Sequence, residues 1–272
     1  MAPRASTQSA TSSKPRALVT GASSGIGAAF ATRLARDGRD LVLVARRLDR
    51  LEESAKELRE RFDCGVSVVA ADLTQPSELR KVEEQVASDE ALDLLVNNAG
   101  FGTIGRFATL DPDREEEEVR LNIIALQRLT RAALPGMIAR KRGGIINVSS
   151  MAGLQPGGPS NATYSATKAF VNSFTEALHE ELRGSGVQVQ ALCPGFTRTE
   201  FQDVAGVNTS DLPSIAWMSA EAVVEASIAG LGRGDVILVP GFGNRFLATL
   251  AGTAPRHLVR RILGIAGNRI VK

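Results

Sequence analysis

Ala17-Leu18-Val19 runs straight into Thr20-Gly21-Ala22-Ser23-Ser24-Gly25-Ile26-Gly27, and Ala28 to Ala35 follows with helical spacing of its apolar residues. No other stretch narrows the fold as much. A short apolar run fits a buried strand, glycines permit a tight turn, and the next segment reads as a helix. Strand, glycine turn and helix N-terminus together form an anion cradle. The glycines let the backbone approach closely, and the first helical N–H groups and the helix dipole face the anion.

The pattern then repeats. Leu41–Ala45, Val66–Ala71, Leu92–Val96, Ile145–Ser149, Val187–Cys193 and Val236–Val239 are further apolar runs, and charged helical segments such as 48–62 and 76–88 separate them. Continuous apolar strands alternating with helices predict an α/β fold. The expected architecture is one Rossmann-type domain, a doubly wound parallel sheet of about seven strands with helices on both faces. Ligands in such sheets lie beyond the carboxyl ends of the strands, where the glycine turn falls.

Tyr164 and Lys168 stand four apart in Tyr-Ser-Ala-Thr-Lys, and Tyr164 is the only tyrosine in the chain. On a helix that spacing presents a phenol and an ammonium to one ligand. A close cation favours phenolate, so the expectation is a Tyr164 pKa lowered by Lys168 from ~10 toward neutral. Such a group can exchange a proton with a substrate oxygen.

Taken together these motifs resemble the short-chain dehydrogenase/reductase family. Gly21, Gly25 and Gly27 match its Thr-Gly-x-x-x-Gly-x-Gly loop, with Ser23, Ser24 and Ile26 between them, and Asn97-Asn98-Ala99-Gly100 matches its Asn-Asn-Ala-Gly signature. Asn122 falls at the family's active-site Asn, and Ser150-Met151-Ala152-Gly153 at its Ser-x-Ala-Gly. Tyr164 and Lys168 match its Tyr-x-x-x-Lys pair, and Pro194-Gly195-Phe196-Thr197-Arg198-Thr199 the segment behind the nicotinamide. The match runs in order from about Lys14 to about Pro240.

The resemblance implies a carbonyl–alcohol oxidoreductase with a nicotinamide cofactor. Tyr164 would be the acid, with Lys168 tuning it and holding the nicotinamide ribose. Ser150, rather than its neighbour Ser149, would donate to the substrate oxygen, and Asn122 would anchor a water for proton resupply. Asp72 with Leu73 would meet the adenine, Asn98, Ala99 and Gly100 would line the cofactor, and Thr197 and Thr199 would hold the carboxamide. The spacing from Ser150 to Tyr164 is one residue longer than is common in the family, a length that Gly157, Gly158 and Pro159 would absorb.

Cofactor choice turns on the end of the second strand. Dinucleotide folds place an acid about 20 residues past the loop for NAD, or an Arg for the 2′-phosphate of NADP. Arg46 lies nineteen positions after Gly27 and is followed by Arg47, so NADP(H) is expected over NAD(H). The plainer alternative is that one Arg caps a helix or faces solvent. Asp72 has a second reading too, as N-cap of the next helix.

Composition excludes other classes. A chain of 272 residues, 43% hydrophobic, can bury one substantial core, and a formal charge of +2 gives no nucleic-acid footprint. Two cysteines make no disulfide framework, which suits a reducing cytosol, and with two histidines they form no metal-like cluster. Residues 1–14, rich in Ser, Thr and Ala, read as a disordered tail, and no apolar run reaches the ~20 residues of a membrane span.

Residues 15–240 would carry catalysis, with 200–219 as an apolar loop over a hydrophobic carbonyl or alcohol substrate. Residues 241–272 form a basic amphipathic extension for which peripheral membrane contact is one reading and core or subunit cover another. By resemblance the chain would be a homodimer or homotetramer joined through 111–131 and 161–183. Two rival functions remain. One is a serine hydrolase built on Gly21-Ala22-Ser23-Ser24-Gly25 with Asp235 and His257. The other is a catalytically idle cofactor-binding scaffold.

Overall fold

Seven strands, all parallel, form one sheet in the order β3-β2-β1-β4-β5-β6-β7. The computed structural model describes residues 14–201, 214, 217–261 and 264. The strands are β1 (Arg16–Thr20), β2 (Asp40–Ala45), β3 (Val66–Ala70), β4 (Leu92–Asn97), β5 (Gly143–Val148), β6 (Val187–Leu192) and β7 (Ile237–Leu238). Most of their residues are apolar because the central strands are covered on both sides, so alternation is lost. The seventh strand is shorter than the apolar run 236–239 suggests, pairing only Ile237 and Leu238 with β6 at the sheet edge.

Side-chain spacing decides which helices cover which face. On α1 (Gly25–Arg36) Phe30, Ala31 and Leu34 point inward, and on α2 (Leu48–Arg61) Leu51, Ala55 and Leu58 do. They share one apolar layer with Val223 and Val224 of α7 (Ala220–Arg233). The opposite layer takes Leu79, Val82 and Val86 from α3 (Pro76–Ser88), Leu129, Ala133 and Met137 from α5 (Leu126–Ala139), and Leu178 from α6 (Ala162–Glu181). Full burial of each such Leu or Phe stabilises the fold by ~1.5–3 kcal/mol, so truncating Phe30 would strike one whole layer.

Strand order reverses between β1 and β4, which opens a crevice at their carboxyl ends. The glycine loop leaves β1 there and Asn98-Ala99-Gly100 leaves β4. Beneath the crevice a buried polar chain crosslinks strands to helices. Asn97 Nδ2 donates to Thr130 Oγ1 and to Asn147 Oδ1, both at 2.9 Å, and Asn147 Nδ2 donates to Thr175 Oγ1 at 3.0 Å. Buried amides leave no slack in register, because an unmade bond here costs ~1–3 kcal/mol.

Between α4 (Pro112–Val119) and α5 the backbone widens into a π-helical turn, Arg120–Ala125, a deformation common where a side chain must be re-aimed. Its effect is to bury Asn122. After β7 the chain turns into α8 (Phe242–Thr253) and a further helical stretch from 256. Three expectations fall outside the described residues: the tail 1–13, most of the substrate loop (202–213 and 215–216, with Val204, Val207, Leu212, Pro213 and Ile215), and the extension from 265, with Arg269 and Lys272.

Candidate active site

The cradle is built as the local sequence requires. Gly21 and Gly25 have φ of 65° and 57°, values that side chains rarely adopt, and a Cβ on Gly21 would lie 2.8 Å from Asn98 Nδ2. Asn98 is the loop's brace: its Nδ2 donates to the carbonyls of Thr20 and Gly21 at 2.9 and 3.2 Å. Thr20 closes the joint, with Oγ1 accepting the N–H groups of Asn98 and Ala99, each at 3.0 Å. Sequence reasoning passed over Thr20, although a hydroxyl ending an otherwise apolar strand beside a glycine was the available signal.

Ser24 occupies the N-cap of α1 but makes no side-chain cap, so the first-turn N–H groups are left for another acceptor. Gly27 is buried and Ile26 packs on the core below. The residues fit a dinucleotide: glycines where any Cβ would fill the cradle, an uncapped helix start, and cations at its rim. Leu73 lines the apolar layer. Asp72 does not cap α3, whose N-cap is Gln75; its Oδ1 accepts from Thr74 N and Oγ1 at 3.0 and 2.8 Å.

At the rim the two arginines part company. Arg46 is exposed, with no hydrogen-bond or ion-pair partner among the described residues. Arg47 Nη2 donates to Ser23 Oγ and Ser24 Oγ at 3.0 and 3.2 Å, and its Nη1 meets Glu200 Oε2 at 3.1 Å. Arg50 Nη1 reaches Glu200 Oε1 at 2.6 Å, and these two guanidiniums hold the Glu200 carboxyl below its ordinary range. Arg47 holds the N-cap position of α2 but makes no side-chain cap hydrogen bond there. Arg50 and Glu200 were not foreseen, since a pairing across 150 positions leaves no trace in local sequence.

Glu200 sits between two residues that touch the rest of the site. Preceding it, Thr199 lies against Gly25, where a Cβ would come within 3.0 Å of the Thr199 side chain. Following it, the Phe201 ring packs 5.6 Å from that of Tyr164. Thr197 Oγ1 donates to Gly195 O at 3.1 Å, and Pro194 O accepts from Met151 N at 3.0 Å, so this segment also abuts the serine loop.

α6 brings Tyr164 and Lys168 to one face, as their spacing predicts, with Lys168 Nζ 5.7 Å over the Tyr164 ring. Lys168 is buried, and its Nζ donates to Val148 O at 2.8 Å. A Cβ on Gly100 would meet Asn122 Oδ1 at 2.8 Å and Lys168 Nζ at 3.5 Å, so these three residues converge. Asn122 donates to Phe101 O and Thr167 Oγ1 at 2.8 and 3.1 Å, and its Oδ1 accepts from Phe101 N at 3.2 Å. The two serines diverge. Ser149 Oγ donates to Lys168 O at 3.0 Å and is buried, whereas Ser150 Oγ accepts from Ala152 N at 3.1 Å and its hydroxyl is near enough to lower the pKa of the Tyr164 phenol.

The expectation that Lys168 acidifies Tyr164 is not met in this state. Burial pushes the phenol up to about 12, against the pull of the nearby Ser150 hydroxyl, and the Glu118 charge adds to the rise. Burial likewise pushes Lys168 down to about 8, with Glu118 opposing. Desolvation outweighs the pair interaction because neither group finds an ionised partner in direct hydrogen-bond contact.

Glu118 is the unforeseen member of the site. It is fully buried, its Oε2 accepts from Thr103 N and Oγ1 at 2.8 and 2.7 Å, and burial raises its pKa. Its Oε1 has no partner among the described residues. One turn earlier Glu115 accepts from Thr163 Oγ1, so two carboxyls on one face of α4 hold Thr163, next to Tyr164, and Thr103, beside the turn that covers it. A Cβ on Gly102 would lie 2.7 Å from the Tyr164 ring, which leaves the Phe101–Thr103 turn closed over that side chain. The i, i+3 spacing of Glu115 and Glu118 in an acidic run hid them, since such runs usually face solvent.

Nothing joins the residues of the rival hydrolase reading. Ser23 serves Arg47, Asp235 accepts from Arg233 at 2.6 Å, and no hydrogen bond links either to His257 among the described residues. No group of three or more His, Cys, Asp or Glu poised for a metal occurs among those residues.

A parallel doubly wound sheet with a glycine cradle and a Tyr–Lys helix beside it defines a dinucleotide-binding oxidoreductase. The family model for short chain dehydrogenase matches residues 15–208, and the chain belongs to that family, whose members bind NAD(P). It is 34% identical over 220 residues to the human very-long-chain 3-oxoacyl-CoA reductase, covering 79% of this chain and 68% of that one. Among solved structures it resembles a Sphingobium yanoikuyae short-chain dehydrogenase in complex with NADPH, at TM-score 0.80 and 38% identity over 86% of this chain and 92% of that one. It also resembles the bulky-bulky ketone specific alcohol dehydrogenase of Comamonas testosteroni, at TM-score 0.75 and 34% identity over 89% and 95%.

Proposed function

We propose that this oxidoreductase interconverts a ketone and a secondary alcohol on a bulky hydrophobic molecule, using NADP(H) in preference to NAD(H). The observation that carries the reading is the convergence of Tyr164, Ser150, Lys168 and Asn122 beside Gly100, at the mouth of the cofactor crevice. Bound at the glycine loop, the dinucleotide supplies hydride to the carbonyl carbon. Arg46, Arg47, Ser23 and Ser24 would hold its 2′-phosphate, Asn98, Ala99 and Gly100 its middle, and Thr197 and Thr199 its carboxamide.

The remaining work falls to side chains. As negative charge grows on the substrate oxygen, Tyr164 Oη–H and Ser150 Oγ–H donate to it, and Tyr164 releases its proton there. A phenol near 12 stays fully protonated at neutral pH, the form needed to reduce. Lys168, near 8, exchanges its proton close to neutrality and suits the task of reprotonation. Bulk and apolarity of substrate are supported by Phe201, Phe196 and Trp217 around the crevice, and by the ketone-specific and oxoacyl relatives.

The test is NADPH and NADH oxidation against bulky ketones, 3-oxoacyl thioesters, steroids, quinones and small aldehydes. Turnover of bulky apolar carbonyls with NADPH favoured is the expected result. Activity confined to small polar carbonyls, or preference for NADH, would overturn the substrate or cofactor half respectively.

A further inference from the structure

Unlike the helices that cover the sheet, α8 has no buried residue. Phe242 is 82% exposed, Phe246 61%, and Leu247 and Leu250 54% each. Phe242, Phe246 and Leu250 recur every four positions, so they form one row along the helix, and exposed Leu258 follows in the next helical stretch. A row of large apolar side chains held in water marks a docking surface.

Charge says what docks. From Val236 to Lys272 the chain has no Asp or Glu, but it has Arg245, Arg256, Arg260, Arg261, Arg269 and Lys272. Arg245, Arg256, Arg260 and Arg261 are exposed, and their guanidiniums have no ion-pair or hydrogen-bond partner among the described residues. On the body of the protein, by contrast, arginines such as Arg33, Arg39, Arg120 and Arg128 are each matched to a carboxylate. An apolar row flanked by unmatched cations fits an anionic lipid surface. A second copy docking by the same face would bring like charges together. No helix among the described residues is long and apolar enough to cross a membrane, so the contact is peripheral.

We propose that α8 and the helical stretch after it bind the surface of an anionic phospholipid bilayer. Insertion of Phe242, Phe246 and Leu250 removes apolar surface from water, while the arginines meet lipid phosphates and carboxylates. The opposite side of α8 faces the candidate site. Asn244 Nδ2 donates to Pro240 O at 3.0 Å, and a Cβ on Gly195 would lie 2.7 Å from Asn244. Docking therefore sets the segment behind the cofactor crevice close to the lipid. The substrate consequence, a carbonyl compound drawn from the bilayer, rests on the function proposed above; the binding itself does not.

Co-sedimentation of the full chain with extruded vesicles tests the inference. The chain should pellet with phosphatidylcholine–phosphatidylserine vesicles, and about tenfold less with phosphatidylcholine alone or at high salt. The double variant Phe246→Glu/Leu250→Glu should lose that binding while keeping wild-type dichroism, melting and NADPH affinity. If it does not fold, Arg245→Gln/Arg256→Gln/Arg260→Gln should weaken binding by about tenfold instead. Absence of pelleting, binding indifferent to anionic lipid, or an assembly in solution that the apolar variant splits into monomers would each overturn the proposal. Lipid binding by a chain with no carbonyl turnover would leave it standing and remove only the reductase reading.

Discussion

Beside the glycine loop Arg46, Arg47, Arg50 and Glu200 stand largely in solvent, whereas around α6 Lys168 and Glu118 are enclosed by protein and Tyr164 is half-buried. In the first region the Arg50 and Arg47 guanidiniums hold the Glu200 carboxyl below its ordinary range. In the second, burial moves Lys168 down, and Tyr164 and Glu118 up. Exposed ion pairs are worth ~0–1 kcal/mol each, so the rim can exchange partners at little cost. Buried groups have no such freedom, because desolvation penalises their charged forms. The rim is suited to recognition and the enclosed cluster to proton transfer.

The contrast breaks first at Tyr164. Replacing it with Phe should lower kcat by ~10³-fold or more and leave NADPH affinity within about threefold. Steady-state kinetics with fluorescence titration measures both, and retained turnover would remove Tyr164 from its role. The rim comes next. Arg46→Ala/Arg47→Ala should weaken NADPH binding by ~10–100-fold through lost charge-assisted bonds and barely touch NADH. Equal losses for both dinucleotides would mean that these arginines do not read the 2′-phosphate.

Glu118 sharpens the enclosed side. Its charge raises the pKa of both Tyr164 and Lys168. Burial sets its own ionisation first, with the Thr103 hydrogen bonds on the facing turn and the Lys168 charge pulling its pKa down and Glu115 on the same helix pushing it up. Glu118→Gln should move the basic limb of the reduction pH–rate profile to lower pH. An unmoved limb with reduced stability would make the carboxylate a purely structural prop.

Lys168 gives a stability signature. A lysine at about 8 in the folded chain against 10.5 ordinarily means that the unfolded state binds more protons between those values. Stability from this group therefore rises with pH from about 8, until Tyr164, at about 12 folded against 10.0 ordinarily, turns the slope downward above pH 10.0. The melting temperature of wild type minus that of Lys168→Met should grow between pH 8 and 10; a flat difference contradicts the buried cation. Smallest of all, Glu200→Ala should change stability by less than ~1 kcal/mol, since its ion pairs are exposed. The same change should tighten NADPH binding a few-fold by freeing Arg47 and Arg50, and weaker binding would show the carboxylate helping to hold the site.

Local pattern reached much of this. Strand and helix limits came within a few residues of the apolar runs and their punctuation, as at α3, because a sheet covered on both faces must be written in continuous hydrophobics. The glycine loop and the Tyr–Lys spacing were legible for the same reason: each is a short-range geometry with one physical use. Resemblance alone favoured Ser150 over Ser149; adjacent side chains on an extended strand end point to opposite sides, so local pattern does not say which of them faces the crevice. Glu118 looked like one acid in a run of four, and Glu200 like a loop residue.

The amino-acid order alone determined the parallel sheet, the cradle after its first strand, and the face that carries Tyr164 and Lys168. These follow from continuous apolar runs, from the helical period of 3.6 and from what glycine allows. Tertiary structure alone decided the ionisation of that face, because desolvation depends on every neighbour at once. It also decided the tie of Arg47 and Arg50 to Glu200, and the exposure of the α8 row, since contacts across long separations are settled only when the layers close.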